Sequence, residues 1–241
     1  MLEILDNMKV TAIVLAAGKG SRMKSDTPKQ FLELDDKPIL YYSLKAFEKS
    51  DVDEIVVVTI PSMEGYIKEE IIEKYSVGKV KTVVAGSVAR YLSVYNGLLS
   101  ASESDYVLIH DSARPFISVS KINEIIEQAM LKKAIIPGIK VKDTIKQVST
   151  DGIVSCTPDR NLLIAVQTPQ AFDYDMLKRG YDKIDKSKVD ETITDDSCVW
   201  ERYVKEPVYV IEGEETNIKI TTPEDLLFGE RIMKRLQEKR V

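Results

Sequence analysis

The sequence is short of the residues on which metal, redox and acid–base chemistry most often rest. Its 241 residues hold two cysteines, Cys156 and Cys198, and a single histidine, His110. The cysteines lie far apart and form no C-x-x-C pair, so they support neither a zinc site nor a disulfide framework. A triad built on His110 would need a partnering nucleophile, and no G-x-S-x-G elbow occurs; His110 therefore reads as structural. No apolar run approaches membrane-spanning length. A net charge of −5 removes the basic excess of a nucleic-acid or membrane-surface binder. The first nine residues contain Glu3 and Asp6 and lack a secretory apolar core, so a reducing cytoplasm is the expected compartment. Two familiar phosphate loops are missing too. G-x-x-x-x-G-K-[ST] occurs nowhere, and after Gly18 and Gly20 a Met23 stands where the dinucleotide fingerprint needs its third glycine. Without internal repeats, low-complexity segments or long linkers, the simplest organisation is one domain over residues 1–241.

What is present is a soluble globular composition and one dense motif. The apolar string Ile13-Val14-Leu15-Ala16-Ala17 stops at Gly18-Lys19-Gly20-Ser21-Arg22-Met23, and Pro28-Lys29-Gln30 follows. A strand ending in a glycine-rich loop delivers backbone N–H groups, and Lys19, Arg22 and Lys29 add positive charge. That combination suits a polyphosphate, and it points to an enzyme handling a nucleoside triphosphate.

Apolar β-branched runs alternate with amphipathic stretches over the first half of the chain. Strands are expected at 10–16, 54–59, 81–85 and 106–110, and helices at 39–49, 66–75, 92–99 and 120–132, the last capped by Ser118 or Ser120. Such alternation implies a mostly parallel sheet with helices on both faces. Between 135 and 168 the pattern changes to short extended pieces at 139–141, 144–148 and 153–156, with a hairpin turn at Ser149-Thr150-Asp151-Gly152. This β excursion, about 138–166, reads as an arm packing on a partner subunit or covering a site, or as an extra antiparallel edge. Another strand is expected at 208–212, and Asn217-Ile218-Lys219-Ile220-Thr221-Thr222 is expected to end a further one, with Lys219 near the same edge of the sheet. Thr222-Pro223-Glu224-Asp225 then starts a final helix running to about residue 238.

Several polar groups stand where an open α/β sheet places ligands. Asp111, in His110-Asp111-Ser112-Ala113-Arg114-Pro115, follows a strand and could help hold Mg²⁺ against phosphate oxygens. Gly86-Ser87-Val88-Ala89-Arg90 is a second glycine turn, and Ser93 near the following helix start could meet a base or sugar. In the β excursion, Thr144 and Arg160 could bind a phosphate, Arg160 as a bidentate fork. Gln167-Thr168-Pro169-Gln170 lies there as well. Thr194-Asp195-Asp196 opens a helix, with its acids as caps and dipole partners.

Taken in order, nine strings resemble the 2-C-methyl-D-erythritol 4-phosphate cytidylyltransferase family. They are Leu-Ala-Ala-Gly-Lys-Gly-Ser-Arg-Met, Pro-Lys-Gln-Phe, Ser-Val-Tyr-Asn-Gly-Leu, His-Asp-Ser-Ala-Arg-Pro, Asp-Thr-Ile-Lys, Thr-Pro-Asp-Arg, Gln-Thr-Pro-Gln-Ala-Phe, Thr-Asp-Asp and Asn-Ile-Lys-Ile-Thr-Thr-Pro-Glu-Asp-Leu, spanning residues 13–225. The resemblance implies a Rossmann-like α/β nucleotidyltransferase fold with a protruding β arm. It implies Mg²⁺ dependence, CTP and a sugar-alcohol phosphate as substrates, and a homodimer in which the arm reaches the partner's site. It makes Arg22, Lys29 and Lys219 the catalytic cations. Ala16, Ala17, Gly18, Lys19, Gly20, Ser21, Gly86, Arg90, Ser93, Asp111 and Ser112 become nucleotide contacts, with Asp111 serving the metal. Thr144, Arg160, Thr168, Thr194 and Lys219 become contacts to the sugar phosphate. The related ribitol 5-phosphate cytidylyltransferases are the near alternative, and a catalytically silent nucleotide-binding regulator a more distant one. Thr-Pro-Asp-Arg ahead of Gln-Thr-Pro-Gln favours methylerythritol phosphate. One departure stands out: the family usually has two glycines where this chain has Gly86-Ser87, with a more polar residue near Val88, which implies relaxed selection of the base.

Overall fold

A computed structural model describes residues 8–18, 23 and 27–238. At its centre is β1 (Val10–Ala16), buried along its whole length. A small hairpin of β2 (Glu33–Leu34) and β3 (Lys37–Pro38) leads into helix α1 (Ile39–Glu48). Then come β4 (Glu54–Thr59), β5 (Val80–Ala85), α2 (Arg90–Ser100), β6 (Tyr106–Asp111), α3 (Val119–Lys132) and β7 (Ala134–Lys140). β1, β4 and β6 are continuous apolar runs rather than alternating ones because helices cover both faces of the sheet. The side-chain period of two then divides each strand between two cores. Ala12, Val14, Ile55, Val57 and Leu108 face α1 and α3. Ile13, Leu15, Val56, Val58 and Val107 face α2 and the later helices, with Trp200 beneath.

The main sheet runs β5–β4–β1–β6–β11–β7, where β11 is Gln170–Asp173, and β10 (Ile164–Val166) and β12 (Tyr209–Glu212) both pair with β7. β1 is parallel to β4 on one side and to β6 on the other: the chain builds outward from β1 through β4 to β5, then crosses back to add β6 on the opposite side. The carboxyl ends of β1, β4, β5 and β6 therefore open on one crevice, the switch point where such sheets bind ligands.

The second half of the chain departs from the sequence reading in four places. β7 is an inner strand of the main sheet, not a piece of an excursion. β11 (Gln170–Asp173), given no element of its own in the sequence reading, lies antiparallel between β6 and β7. Its polar first residue hid it: Gln170 is fully buried because its amide serves Asp195 and the N–H groups of Asp196 and Ser197. Helix α4 (Tyr174–Asp182), also unanticipated, is capped by Asp173. Residues 217–220 form a loop rather than a strand end, stitched down by Ile220 N–H to the Ala113 carbonyl at 2.8 Å. The helix expected at 66–75 is present as a turn, Glu64–Tyr66, continued by a π-helical stretch, Ile67–Glu73.

β8 (Gln147–Val148) and β9 (Val154–Cys156) form a separate antiparallel pair around a turn in which Gly152 takes a φ of 78°. β10 (Ile164–Val166) closes this hairpin segment back onto β7, with Val166 opposite Gly138. Ile153 and Leu162 on the segment are 68% and 82% exposed, so these apolar side chains find no cover among the described residues. A short helix, α5 (Asp196–Val199), is capped by Asp195; β12 (Tyr209–Glu212) and α6 (Pro223–Glu238) complete the fold. Among the described residues no helix is long and apolar enough to cross a membrane.

Candidate active site

The crevice at the switch point encloses about 760 Å³. Ala17 and Gly18 come to it from the end of β1, Ile60 and Pro61 from β4, the 86–89 turn from β5, and Asp111, Ser112 and Ala113 from β6; Lys29, Gln30, Arg90, Ser93 and Lys219 complete the wall. The close approach of two loops needs Gly86. A Cβ there would collide with the Ala17 methyl group and lie 3.0 Å from Ser93 Oγ. Ser93 fastens the same turn, accepting from Ser87 N–H at 2.9 Å and donating to the Ala89 carbonyl at 3.1 Å. Its hydroxyl is thus bonded to the loop on both sides while still lining the crevice. Asn96 holds the end of β5 through the Ala85 carbonyl.

Asp111 is the electrostatic centre. Its Oδ1 is 3.0 Å from Arg90 Nε and its Oδ2 2.6 Å from Lys219 Nζ. Burial alone would raise the carboxyl, but Arg90 and Lys219 outweigh it and hold Asp111 well below the usual carboxylate range. Arg90 also meets Asp196, with Nη2 2.8 Å from Oδ2, and Asp196 Oδ1 accepts from Tyr181 at 2.6 Å. The guanidinium is poorly aligned with that oxygen, so Nη1 and Nη2 keep hydrogen-bonding capacity inside the protein. Burial pushes Asp196 upward against the pull of Arg90, while both carboxylates keep Arg90 firmly cationic. His110, fully buried behind the crevice, is pushed down to about 4, chiefly by burial.

Among the described residues Asp111 is the one carboxylate in the crevice wall. Among the described residues no group of three or more His, Cys, Asp and Glu could hold a metal. A single ionised carboxylate beside a space for phosphate oxygens is nevertheless a donor set that Mg²⁺ accepts, because it keeps several waters and draws further ligands from the substrate. Among the described residues each Asp111 oxygen has one cationic partner, with lone-pair capacity to spare, so these residues fit a magnesium–triphosphate complex and not a metal caged by protein alone.

The sequence-derived residues thus separate into groups. Ala17, Gly18, Lys29, Gly86, Arg90, Ser93, Asp111, Ser112 and Lys219 meet in the crevice. Ala16 lies just behind it, its carbonyl accepting from Gln30 Nε2 at 2.6 Å. Lys19, Gly20, Ser21 and Arg22 fall outside the described residues. Thr144 and Arg160 sit on the exposed hairpin segment and do not line the crevice of their own chain; Arg160 donates to the Lys142 carbonyl. Thr194 is exposed at the start of α5, and Thr168 is buried beneath Asp111. Sequence reasoning missed Gln30, Ile60, Pro61 and Asp196 as parts of this site. Gln30 and Asp196 lay in motifs, Asp196 there read as a helix-start acid; Ile60 and Pro61 arrive by folding.

Comparison with known proteins decides the family. The model of the family "IspD: 2-C-methyl-D-erythritol 4-phosphate cytidylyltransferase" matches residues 10–235. The chain belongs to that family. It is 53% identical over 230 residues to the 2-C-methyl-D-erythritol 4-phosphate cytidylyltransferase of Lachnoclostridium phytofermentans, covering 95% of this chain and 98% of that one. It is 47% identical to the protein of the same name from Clostridium botulinum strain Eklund 17B, over 94% of this chain and 100% of the relative. The crystal structure of 4-diphosphocytidyl-2C-methyl-D-erythritol synthase from Anaerococcus prevotii superposes with a TM-score of 0.83 at 36% identity, covering 96% and 99% of the two chains. That of the Thermus thermophilus cytidylyltransferase gives 0.76 at 29% identity, covering 94% and 100%. Family members thus share the mixed sheet and flanking helices described above.

Proposed function

We propose that this protein joins CTP and 2-C-methyl-D-erythritol 4-phosphate, releasing pyrophosphate, as a cytoplasmic step in isoprenoid precursor synthesis. The observation that carries the reading is the ionised Asp111 held between Arg90 and Lys219, in a crevice walled by Gly18, Lys29 and the 86–89 turn, in a member of this family.

The attacking group is a phosphate oxyanion of the sugar alcohol. It forms a bond to the α-phosphorus of CTP while the bond to the bridging oxygen breaks and pyrophosphate leaves. No proton need be removed, so no general base is required, and catalysis reduces to alignment and charge stabilisation. That agrees with a site rich in cations and backbone N–H groups whose one nearby histidine is buried and neutral. Lys29 and Arg22 grip the triphosphate and the developing charge, and Gly18 and its neighbours offer backbone N–H groups. Arg90 and Lys219 hold Asp111 ionised and aimed, and Asp111 would hold Mg²⁺. When bound, that ion neutralises phosphate charge and fixes the triphosphate's conformation.

The second substrate sits beside Lys219 and Thr194. Thr144 and Arg160 of a second copy complete it, which requires a homodimer; the uncovered apolar side chains of the hairpin segment support that arrangement. The test is Mg²⁺-dependent pyrophosphate release from CTP, with methylerythritol 4-phosphate and ribitol 5-phosphate supplied separately. Release with the first alone is expected; release with ribitol 5-phosphate alone, or with neither, refutes the reading. Lys29→Ala should lower turnover at least about a hundredfold with folding intact, and near-normal turnover would remove Lys29 from the mechanism.

A further inference from the structure

The proposed mechanism leaves His110 and Thr168 without a stated task, yet together they determine the direction of a chain of buried hydrogen bonds under Asp111. The His110 ring is fully enclosed, with the Phe47 ring 5.1 Å away, edge on. His110 Nε2 lies 3.1 Å from the Arg114 carbonyl oxygen. A carbonyl only accepts, so Nε2 carries the ring proton. Both ring nitrogens face uncharged groups, the Arg114 carbonyl and the Thr168 hydroxyl, so the enclosed ring gains nothing from a second proton and Nδ1 is a bare acceptor. Thr168 Oγ1, at 3.2 Å, must donate to it. The same oxygen accepts from Asp111 N–H at 3.1 Å. The chain therefore runs one way, from Asp111 N–H to Thr168 hydroxyl, to His110, to the Arg114 carbonyl.

A second set of bonds closes the loop. Asn217 Nδ2 donates to the Thr168 carbonyl at 2.9 Å, and Arg114 Nη1 donates to the Asn217 carbonyl at 2.8 Å. The segment that carries Asp111 out of β6 is thus tied to Thr168 at one end and, through Arg114, to residue 217 at the other. Lys219 is two residues further on.

We infer that His110 and Thr168 are positioning residues for Asp111, and that Thr168, its only proton held by His110, is not a hydrogen-bond donor to the phosphate of the second substrate. A threonine hydroxyl has one proton to give. While it points at Nδ1, Thr168 presents only oxygen lone pairs, one of them turned to the Asp111 backbone, and an oxyanion gains nothing from lone pairs. Binding of the sugar phosphate then falls to cations such as Lys219. The consequence for catalysis rests on the proposed cytidylyl transfer; the proton arrangement does not.

Because His110 is the sole histidine, ring-¹⁵N labelling of histidine in the full-length protein gives the signals of one imidazole. Nitrogen NMR at neutral pH should show Nδ1 bare and Nε2 protonated, and Thr168→Val should shift Nδ1 while leaving Nε2 protonated. A protonated Nδ1, as the other tautomer or as imidazolium, overturns the inference. This readout needs no turnover, so it stands even if the substrates are other than proposed. In steady-state kinetics Thr168→Val should lower kcat or raise the KM for CTP by about tenfold. The KM for the sugar-alcohol phosphate should move less than about twofold, and Thr168→Ser should recover most of the loss. A selective rise in the KM for the sugar-alcohol phosphate, or unchanged kinetics, refutes the positioning role.

Discussion

At the scale of single residues, the site is built from charges that only burial makes strong. Asp111 is nearly enclosed, yet it stays ionised because two cations touch it. Asp111→Asn keeps its volume and leaves Arg90 and Lys219 facing a neutral amide. It should cost about 3 kcal/mol in urea unfolding, the lower end for a broken buried pair because Lys219 reaches solvent. His110 adds a pH dependence of definite sign. Its value falls from 6.5 to about 4 on folding, so the unfolded chain binds the extra proton first. Its contribution is fully present above pH 6.5 and is lost as pH falls toward 4, by about 3 kcal/mol in all. Asp111, also depressed, contributes above its ordinary 3.8 and fades below it. Stability measured from pH 7 to 4 should therefore decline in wild type and flatten in His110→Asn. An unchanged slope in that variant would assign the decline to other groups.

At the scale of elements, two loops are brought close enough to share a ligand. The 86–89 turn and the end of β1 approach so closely that only a hydrogen fits at residue 86. Gly86→Ala must push the turn outward; it should cost about 1–3 kcal/mol of stability and weaken CTP binding by calorimetry at least about tenfold. Wild-type affinity in that variant would show that the turn does not touch the nucleotide. The start of α6 is a reciprocal cap. Asp225 Oδ2 accepts from the N–H groups of Thr221 and Thr222 at 2.8 and 2.9 Å and from the Thr221 hydroxyl, while Thr222 Oγ1 accepts from Asp225 N–H. Asp225→Ala should cost about 1 kcal/mol, read as a lowered Tm. Because the loop carrying Lys219 enters this cap, turnover should fall with it.

For the whole molecule, the exposed hairpin segment is the feature a lone chain does not explain. Ile153, Val154 and Leu162 stand largely in solvent, whereas the body of the domain buries its apolar strands on both faces. Replacing residues 142–162 with a short glycine linker should leave a folded monomer, with the wild-type protein dimeric by analytical ultracentrifugation. The shortened chain should bind CTP and fail to turn over the sugar-alcohol phosphate, since Thr144 and Arg160 leave with the segment. A monomeric wild type at micromolar concentration would count against a site completed by a second copy.

What the sequence determined by itself is whatever depends on near neighbours along the chain. The β-branched runs at β1, β4 and β6, Asp111 at the end of its strand and the capped start of α6 were all legible, because strand burial and capping are local. Tertiary structure alone decided the insertion of β11 between β6 and β7, where a buried glutamine obeys no apolar pattern until its partners on α5 are known. It decided that Lys219 lies on a loop and meets Asp111, that Asp196 is a counter-charge to Arg90 in addition to opening a helix, and that the Ser93 and Thr168 hydroxyls find partners in the 87–89 turn and in Asp111 N–H and His110. Each of these joins residues distant in sequence, and the cost of burying a charge or a hydroxyl is settled only when folding supplies its partner.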